Sequence, residues 1–170
     1  MKRYAYVPVA VAAWLLPYTT FAQIDSIAQI RSEYAAINRQ AASLNRQVVS
    51  LNDRSSEGGE VTIYRNKNGA VRLVREVVMG ETGKVQREYY YEANVPFFVF
   101  EVTTRYNAPI YLPQFNPSLS EKSEERYYFL HGKMVRWLHG KTQMPLGTKV
   151  SMRKESEVLE AAKGWLKREE

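Results

Sequence analysis

The chain contains no cysteine and only two histidines. Without cysteine there is no disulfide, no thiol nucleophile, no thiolate metal site and no attachment point for a lipid. His131 stands beside Gly132 where a tight turn is expected, and His139 falls at the far end of the next strand, so a histidine metal centre is not expected. None of Ser43, Ser50 and Ser118 has the flanking glycines of a nucleophile elbow. Gly58-Gly59 is not followed by the lysine and hydroxyl residue of a phosphate loop, and no cofactor is expected. The excess of one sign of charge is also small. The formal net charge of +6 drops by two if Lys2 and Arg3 are lost, a bias too weak to point to nucleic acid.

A membrane-spanning run is missing as well. The apolar stretch from Val7 to Leu16 is shorter than the ~18–20 residues needed to cross a bilayer, and Pro8 and Pro17 bracket it. Lys2 and Arg3, this stretch, and then Thr20-Phe21-Ala22 have the layout of a secretory signal peptide, with cleavage expected between Ala22 and Gln23. Residues 1–22 are therefore read as a signal peptide and 23–170 as a single domain. The destination is the periplasm or the extracellular space, with no stable membrane insertion after cleavage.

What is present has the pattern of an α+β domain. From Ile24 to about Arg54, apolar residues at Ile27, Ile30, Tyr34, Ile37, Ala41, Leu44, Val48 and Leu51 recur at alternating steps of three and four, which predicts one long N-terminal helix. It contains a seven-residue repeat, Ile37-Asn-Arg-Gln-Ala-Ala-Ser43 and Leu44-Asn-Arg-Gln-Val-Val-Ser50. The repeat admits a coiled-coil dimer, but a helix laid on a sheet is favoured, and with it a monomer over a homodimer. A polar linker from Asp53 to Gly59 follows.

Between Glu60 and Tyr106 the pattern becomes an antiparallel meander, part of a sheet of about six strands. Val61 to Arg65 leads into Asn68-Gly69, Ala70 to Met79 returns, and Lys84 to Glu92 and Pro96 to Tyr106 follow. With Glu81-Thr82 at a turn tip, Glu76 meets Arg87, Arg75 meets Glu88, Val78 meets Val85 and Val74 meets Tyr89. One register satisfies both charge and hydrophobicity. Continuing it through Ala93-Asn94 pairs Tyr89 with Phe98, Arg87 with Phe100 and Val85 with Val102. Asn107 to Ser123, with Pro109, Pro113 and Pro117, reads as a long loop with a short strand at Ile110 to Leu112. A last hairpin, Glu125 to Leu130 and Lys133 to Leu138, turns at His131-Gly132, and a C-terminal helix runs from Ser151 to Arg168.

That register sorts the meander into a core face carrying Val74, Val78, Val85, Tyr89, Tyr91, Phe98, Phe100 and Val102, and an open face. On the open face Leu73, Arg75, Tyr90, Phe97, Val99 and Arg105 form a candidate surface for a ligand or partner, apolar at its centre and charged at its rim. Glu88 and Glu101 would share this face, and a carboxylate pair there would suit a cell-wall or carbohydrate hydrolase. The ion-paired alternative for Glu88 is preferred, and no catalytic residue is assigned. The favoured function is a non-enzymatic binding module for an envelope protein or a glycan, using the open face and the 107–123 loop.

Glu57-Gly58-Gly59-Glu60-Val61-Thr62, Gly80-Glu81-Thr82-Gly83-Lys84, Glu88-Tyr89-Tyr90-Tyr91, Phe97-Phe98-Val99-Phe100, Arg126-Tyr127-Tyr128-Phe129 and Gly132-Lys133-Met134-Val135-Arg136-Trp137 together resemble a group of small, uncharacterised exported bacterial proteins. The resemblance spans about Ser55 to Leu138. It implies repeated hairpins behind a helix and an exported location, and it implies no catalytic residue.

Overall fold

The computed structural model describes residues 19–51 and 57–167. Helix α1 (Thr19–Gln40) leads into eight strands, β1 (Asn45–Ser50), β2 (Gly59–Arg65), β3 (Val71–Gly80), β4 (Gly83–Glu92), β5 (Val95–Arg105), β6 (Glu121–Leu130), β7 (Lys133–His139) and β8 (Thr142–Gln143), and the chain ends in helix α2 (Lys149–Lys167). The strands lie in chain order in one antiparallel sheet, a pure meander. The α+β class with a helix at each end stands, but the sheet has eight strands rather than about six. The signal-peptide reading falls largely on residues 1–18, outside the described residues. The cleavage point expected for it lies in the first turn of α1.

The two additional strands come from segments with a different expectation. Periodicity predicts a helix to about Arg54, yet α1 ends at Gln40, and a 3₁₀ turn (Ala41–Ser43) passes the chain into β1. The two copies of the repeat therefore take different structures. Asn38-Arg39-Gln40 closes a helix, while the identical Asn45-Arg46-Gln47 opens a strand. The copies diverge at their next two residues. These are Ala41-Ala42 in the first and the β-branched pair Val48-Val49 in the second, which lines up with Thr62 and Val61 on β2. Pairing with an available strand overrides helical periodicity. The seam a coiled coil would need is broken, since Leu44 to Leu51 are not helical. The second addition, β8, is a two-residue strand pairing with Leu138 and His139. Ile110 to Leu112, expected as a strand, form turns.

The sheet is sandwiched between the helices, with one apolar cluster on each face. Ile27, Ile30 and Ile37 of α1 pack on Leu73, Tyr90, Phe97, Phe98, Tyr128 and Leu138. Leu159, Ala162 and Trp165 of α2 pack on Val61, Ile63, Val74, Tyr89, Tyr91, Val99, Tyr127, Phe129 and Trp137. α2 begins with a reciprocal cap, in which Thr148 Oγ1 accepts from the Ser151 amide at 3.1 Å and Ser151 Oγ accepts from the Thr148 amide at 3.0 Å.

Register decides which residues reach which helix. Between β3 and β4 it is the expected one: Glu76 pairs with Arg87, Arg75 with Glu88, Val78 with Val85 and Val74 with Tyr89. Between β4 and β5 the turn pairs Glu92 with Val95 and Tyr91 with Pro96, as a two-residue loop at Ala93-Asn94 requires, but Tyr90 then pairs with Phe98. Phe97 is the extra residue of a β-bulge, beside a proline that has no amide to donate. Beyond the bulge, β5 is displaced by one residue from the expected register, and every side chain changes face. Phe98 and Phe100 turn to α1, and Val99 turns to α2.

The β4–β5 turn holds both Ala93 (φ 47°) and Asn94 (φ 60°) in the left-handed region. Asparagine tolerates that conformation, whereas for alanine it costs roughly 1–2 kcal/mol. Ala93→Asn is therefore expected to stabilise the protein by about 1 kcal/mol, read as a raised midpoint in urea with an unchanged slope; an unchanged or lowered midpoint would contradict the turn geometry.

Candidate functional site

The surface expected from sequence is not open. Leu73 and Tyr90 are fully buried and Phe97 nearly so, because α1 lies across them. Val99 is also buried, but on the opposite face beneath α2, as the bulge dictates. Arg105 is exposed at the end of β5, opposite Gly83 and Glu121 and apart from the other five. Gly83 itself is required there, since a Cβ would collide with the Thr104 carbonyl oxygen.

Arg75 and Tyr90 do meet, in a network that fastens α1 to the sheet. The Tyr90 hydroxyl donates to Glu88 Oε2 at 2.6 Å and accepts from Asn38 Nδ2 at 3.0 Å. Arg75 Nε donates to Glu88 Oε1 at 2.9 Å, and its Nη2 reaches Asn38 Oδ1 at 3.2 Å. The guanidinium also lies 5.4 Å from the Tyr64 ring centre. Arg72 on the same strand pairs with Glu33 of α1. These groups anchor a helix rather than await a ligand.

Glu88 and Glu101 fall on opposite faces, because Glu88 is opposite Phe100 and Glu101 is opposite Arg87. They cannot flank one glycosidic bond. Glu101 belongs to a polar row beneath α2. Arg87 Nε donates to it at 2.5 Å, and Arg87 Nη1 lies 3.5 Å from Glu76, which is 3% exposed and accepts from the Tyr89 hydroxyl at 2.9 Å. Burial works against the Arg87 charge, but Glu101, with Tyr89 and Glu76 adding to it, holds the guanidinium above its ordinary value. Glu125 continues the row, accepting from Trp137 Nε1 at 2.5 Å and lying 2.8 Å from His139 Nδ1. No group of three acidic or histidine side chains suited to a metal is found among the described residues.

Two accessible features among the described residues bear on binding. The first is a cleft of about 160 Å³ where α1 leaves part of the aromatic row uncovered, lined by Ile30, Arg31, Tyr34, Phe98, Phe100, Arg126 and Tyr128. Tyr34 stands edge-on to Phe98 with ring centres 5.2 Å apart, and Phe98 meets Tyr128 at 4.9 Å. Arg126 lies over Phe100 at 5.3 Å from its centre. The expected register places Phe98 and Phe100 in the other core. The charge rule that sets β3 against β4 holds the missing signal, since it prefers Arg87 opposite Glu101 to Arg87 opposite Phe100.

The second is the 106–120 loop. It is an organised structure: Tyr106 packs edge-on against Phe115 at 5.2 Å, and the Asn107 side chain donates to the Gln114 carbonyl at 2.8 Å and accepts from the Asn116 amide at 2.9 Å. The Ile110 amide ties the loop to the Glu81 carbonyl in the β3–β4 turn at 2.9 Å. On this frame Ile110, Tyr111, Leu112 and Leu119 are all exposed, Tyr111 at 67% and Leu119 at 64%.

Comparison with protein-family models, curated proteins and solved structures finds no match. Function therefore rests on geometry alone.

The buried phenols make one pH dependence explicit. Burial, the leading cause, raises Tyr89, Tyr90, Tyr91 and Tyr127 well above the ordinary value, with Glu76 adding to the shift at Tyr89, Glu88 at Tyr90 and Glu101 at Tyr127. A phenol raised in the folded state contributes stability that is complete below its unfolded value of about 10 and is lost as pH rises toward the folded value. Stability is therefore expected to show no loss from these groups up to about pH 10 and to fall above it, their phenolate absorbance growing only as the circular dichroism of the fold collapses. Ionisation of all four near the ordinary value with the fold intact would contradict their burial.

Proposed function

We propose that this chain is an exported, non-enzymatic interaction module that docks an envelope protein through the 106–120 loop. The observation that carries the reading is the set of four exposed apolar side chains, Ile110, Tyr111, Leu112 and Leu119, on a loop pinned by Asn107 and by the Tyr106–Phe115 contact. Large apolar groups held rigidly in water contribute to binding without a large ordering cost, and tyrosine is enriched among residues that dominate interfaces. The loop spans a sheet end, away from the helix-covered centre, so occupying it requires no rearrangement of the core.

Export rests on Lys2, Arg3 and the short apolar stretch after them. It is compatible with the fold, because the buried side chains described for α1 begin at Ile27, beyond the expected cut at Ala22. The hydrolase alternative loses its named carboxylate pair to opposite sheet faces, and the dimer alternative loses its helical seam.

A photoreactive residue replacing Tyr111 is expected to form one discrete adduct in envelope extract. The double variant Tyr111→Ser, Leu119→Ser is expected to abolish capture of that protein with an unchanged circular dichroism spectrum and melting temperature. Undiminished capture by the folded double variant would remove the loop as the docking element.

A further inference from the structure

The α1–sheet cleft is chemically different from the loop and independent of it. Of its seven lining residues, five are apolar or aromatic, two are arginines, and none is a carboxylate. Its volume of about 160 Å³ is of the order of the ~150 Å³ that accommodates a benzene ring in an engineered cavity. Phe98 and Tyr128, both buried, supply ring faces and edges, and Tyr34 rises from α1 beside them.

The arginines are placed differently. Arg126 is held in position: Nη1 donates to the Gly140 carbonyl at 2.9 Å and Nη2 to Glu124 Oε2 at 2.5 Å, while the guanidinium plane lies over Phe100. A guanidinium carries five N–H donors, so these two bonds leave others for a further acceptor. Arg31 stands on α1 across the cleft, exposed, and enters no ion pair among the described residues. Glu124 is the one carboxylate bonded to this pair among the described residues. Glu88, the next on this face, is engaged by Arg75 and Tyr90.

We propose that this cleft binds a monocarboxylate carried on a planar ring, the ring seated among Tyr34, Phe98 and Tyr128 and the carboxylate between Arg31 and Arg126. Neither half of such a ligand suffices alone. The ring gains apolar contact and aromatic packing, and the carboxylate gains charge-assisted bonds to guanidinium donors of matching planar geometry. Two sources could present this chemistry, a free aromatic acid or the C-terminal phenylalanine of a peptide.

The test titrates the full chain with benzoate, following amide resonances of the lining residues. Saturable binding of benzoate is expected, with benzyl alcohol and acetate each roughly tenfold weaker or more. Arg31→Gln, on an exposed helical position that leaves the fold intact, is expected to weaken benzoate roughly tenfold, and Arg39→Gln at the end of the same helix to leave it unchanged. Arg126→Gln is expected to act like Arg31→Gln, and because Arg126 also holds Gly140, Arg31 remains the deciding variant. A peptide ending in phenylalanine that displaces benzoate as its free acid but not as its amide assigns the chain-terminal source, and failure of both to displace it assigns the free acid. Equal affinity for benzoate and benzyl alcohol, no saturable shift with benzoate, or an unaffected Arg31→Gln would overturn the proposal.

Discussion

The alignment of β5 against β4 is the constraint on which the rest of this structure depends. A bulge at Phe97 moves the whole of β5 beyond it by one residue, and the Arg87–Glu101 contact at 2.5 Å holds the displaced register in place. Because side chains alternate across a strand, that displacement assigns Phe98 and Phe100 to one helix and Val99 and Glu101 to the other. α1 then has an aromatic row to cover, and α2 has an apolar bed with a polar row crossing it. The cleft exists because α1 covers the row only in part.

The two faces are held by different means. On the α2 side the apolar cluster surrounds a buried carboxylate, Glu76, satisfied by Tyr89 and Arg87. Removing either partner would take a charge-assisted contact from a carboxylate that is 3% exposed, a costly change in a buried site. On the α1 side, contacts between aromatic rings dominate, and the polar network of Asn38, Tyr90, Glu88 and Arg75 sits at one end of the helix. The preceding stretch of α1, tied to β3 by the Glu33–Arg72 pair, carries Ile30, Arg31 and Tyr34, which are the residues it contributes to the cleft.

Much of this is legible in the residues. Turn chemistry at Gly69 and at His131-Gly132, both with positive φ, and opposite charges at Arg75–Glu88 and Glu76–Arg87 place five of the strands, β2, β3, β4, β6 and β7, and the register of β3 against β4. Three things are not legible, for physical reasons. The bulge next to Pro96 is not legible in the apolar alternation, and its one trace is the charge match of Arg87 with Glu101 in the register it produces, which reverses the faces of Phe98, Val99 and Phe100. Asn-Arg-Gln occurs once in α1 and once in β1, so only the pairing of Val48 and Val49 with β2 separates the two outcomes. Finally, an open sheet face and a helix-covered one have the same alternation, and the candidate surface at Leu73, Tyr90 and Phe97 is buried by a helix whose landing place the pattern does not specify.

The most direct measurement of the central claim is the set of cross-strand nuclear Overhauser contacts between the backbones of β4 and β5. The structure requires contacts pairing Gln86 with Val102, Glu88 with Phe100 and Tyr90 with Phe98. Contacts pairing Gln86 with Glu101 and Tyr89 with Phe98 would place the strand in the unbulged register, return Phe98 and Phe100 to the α2 side, and remove the cleft.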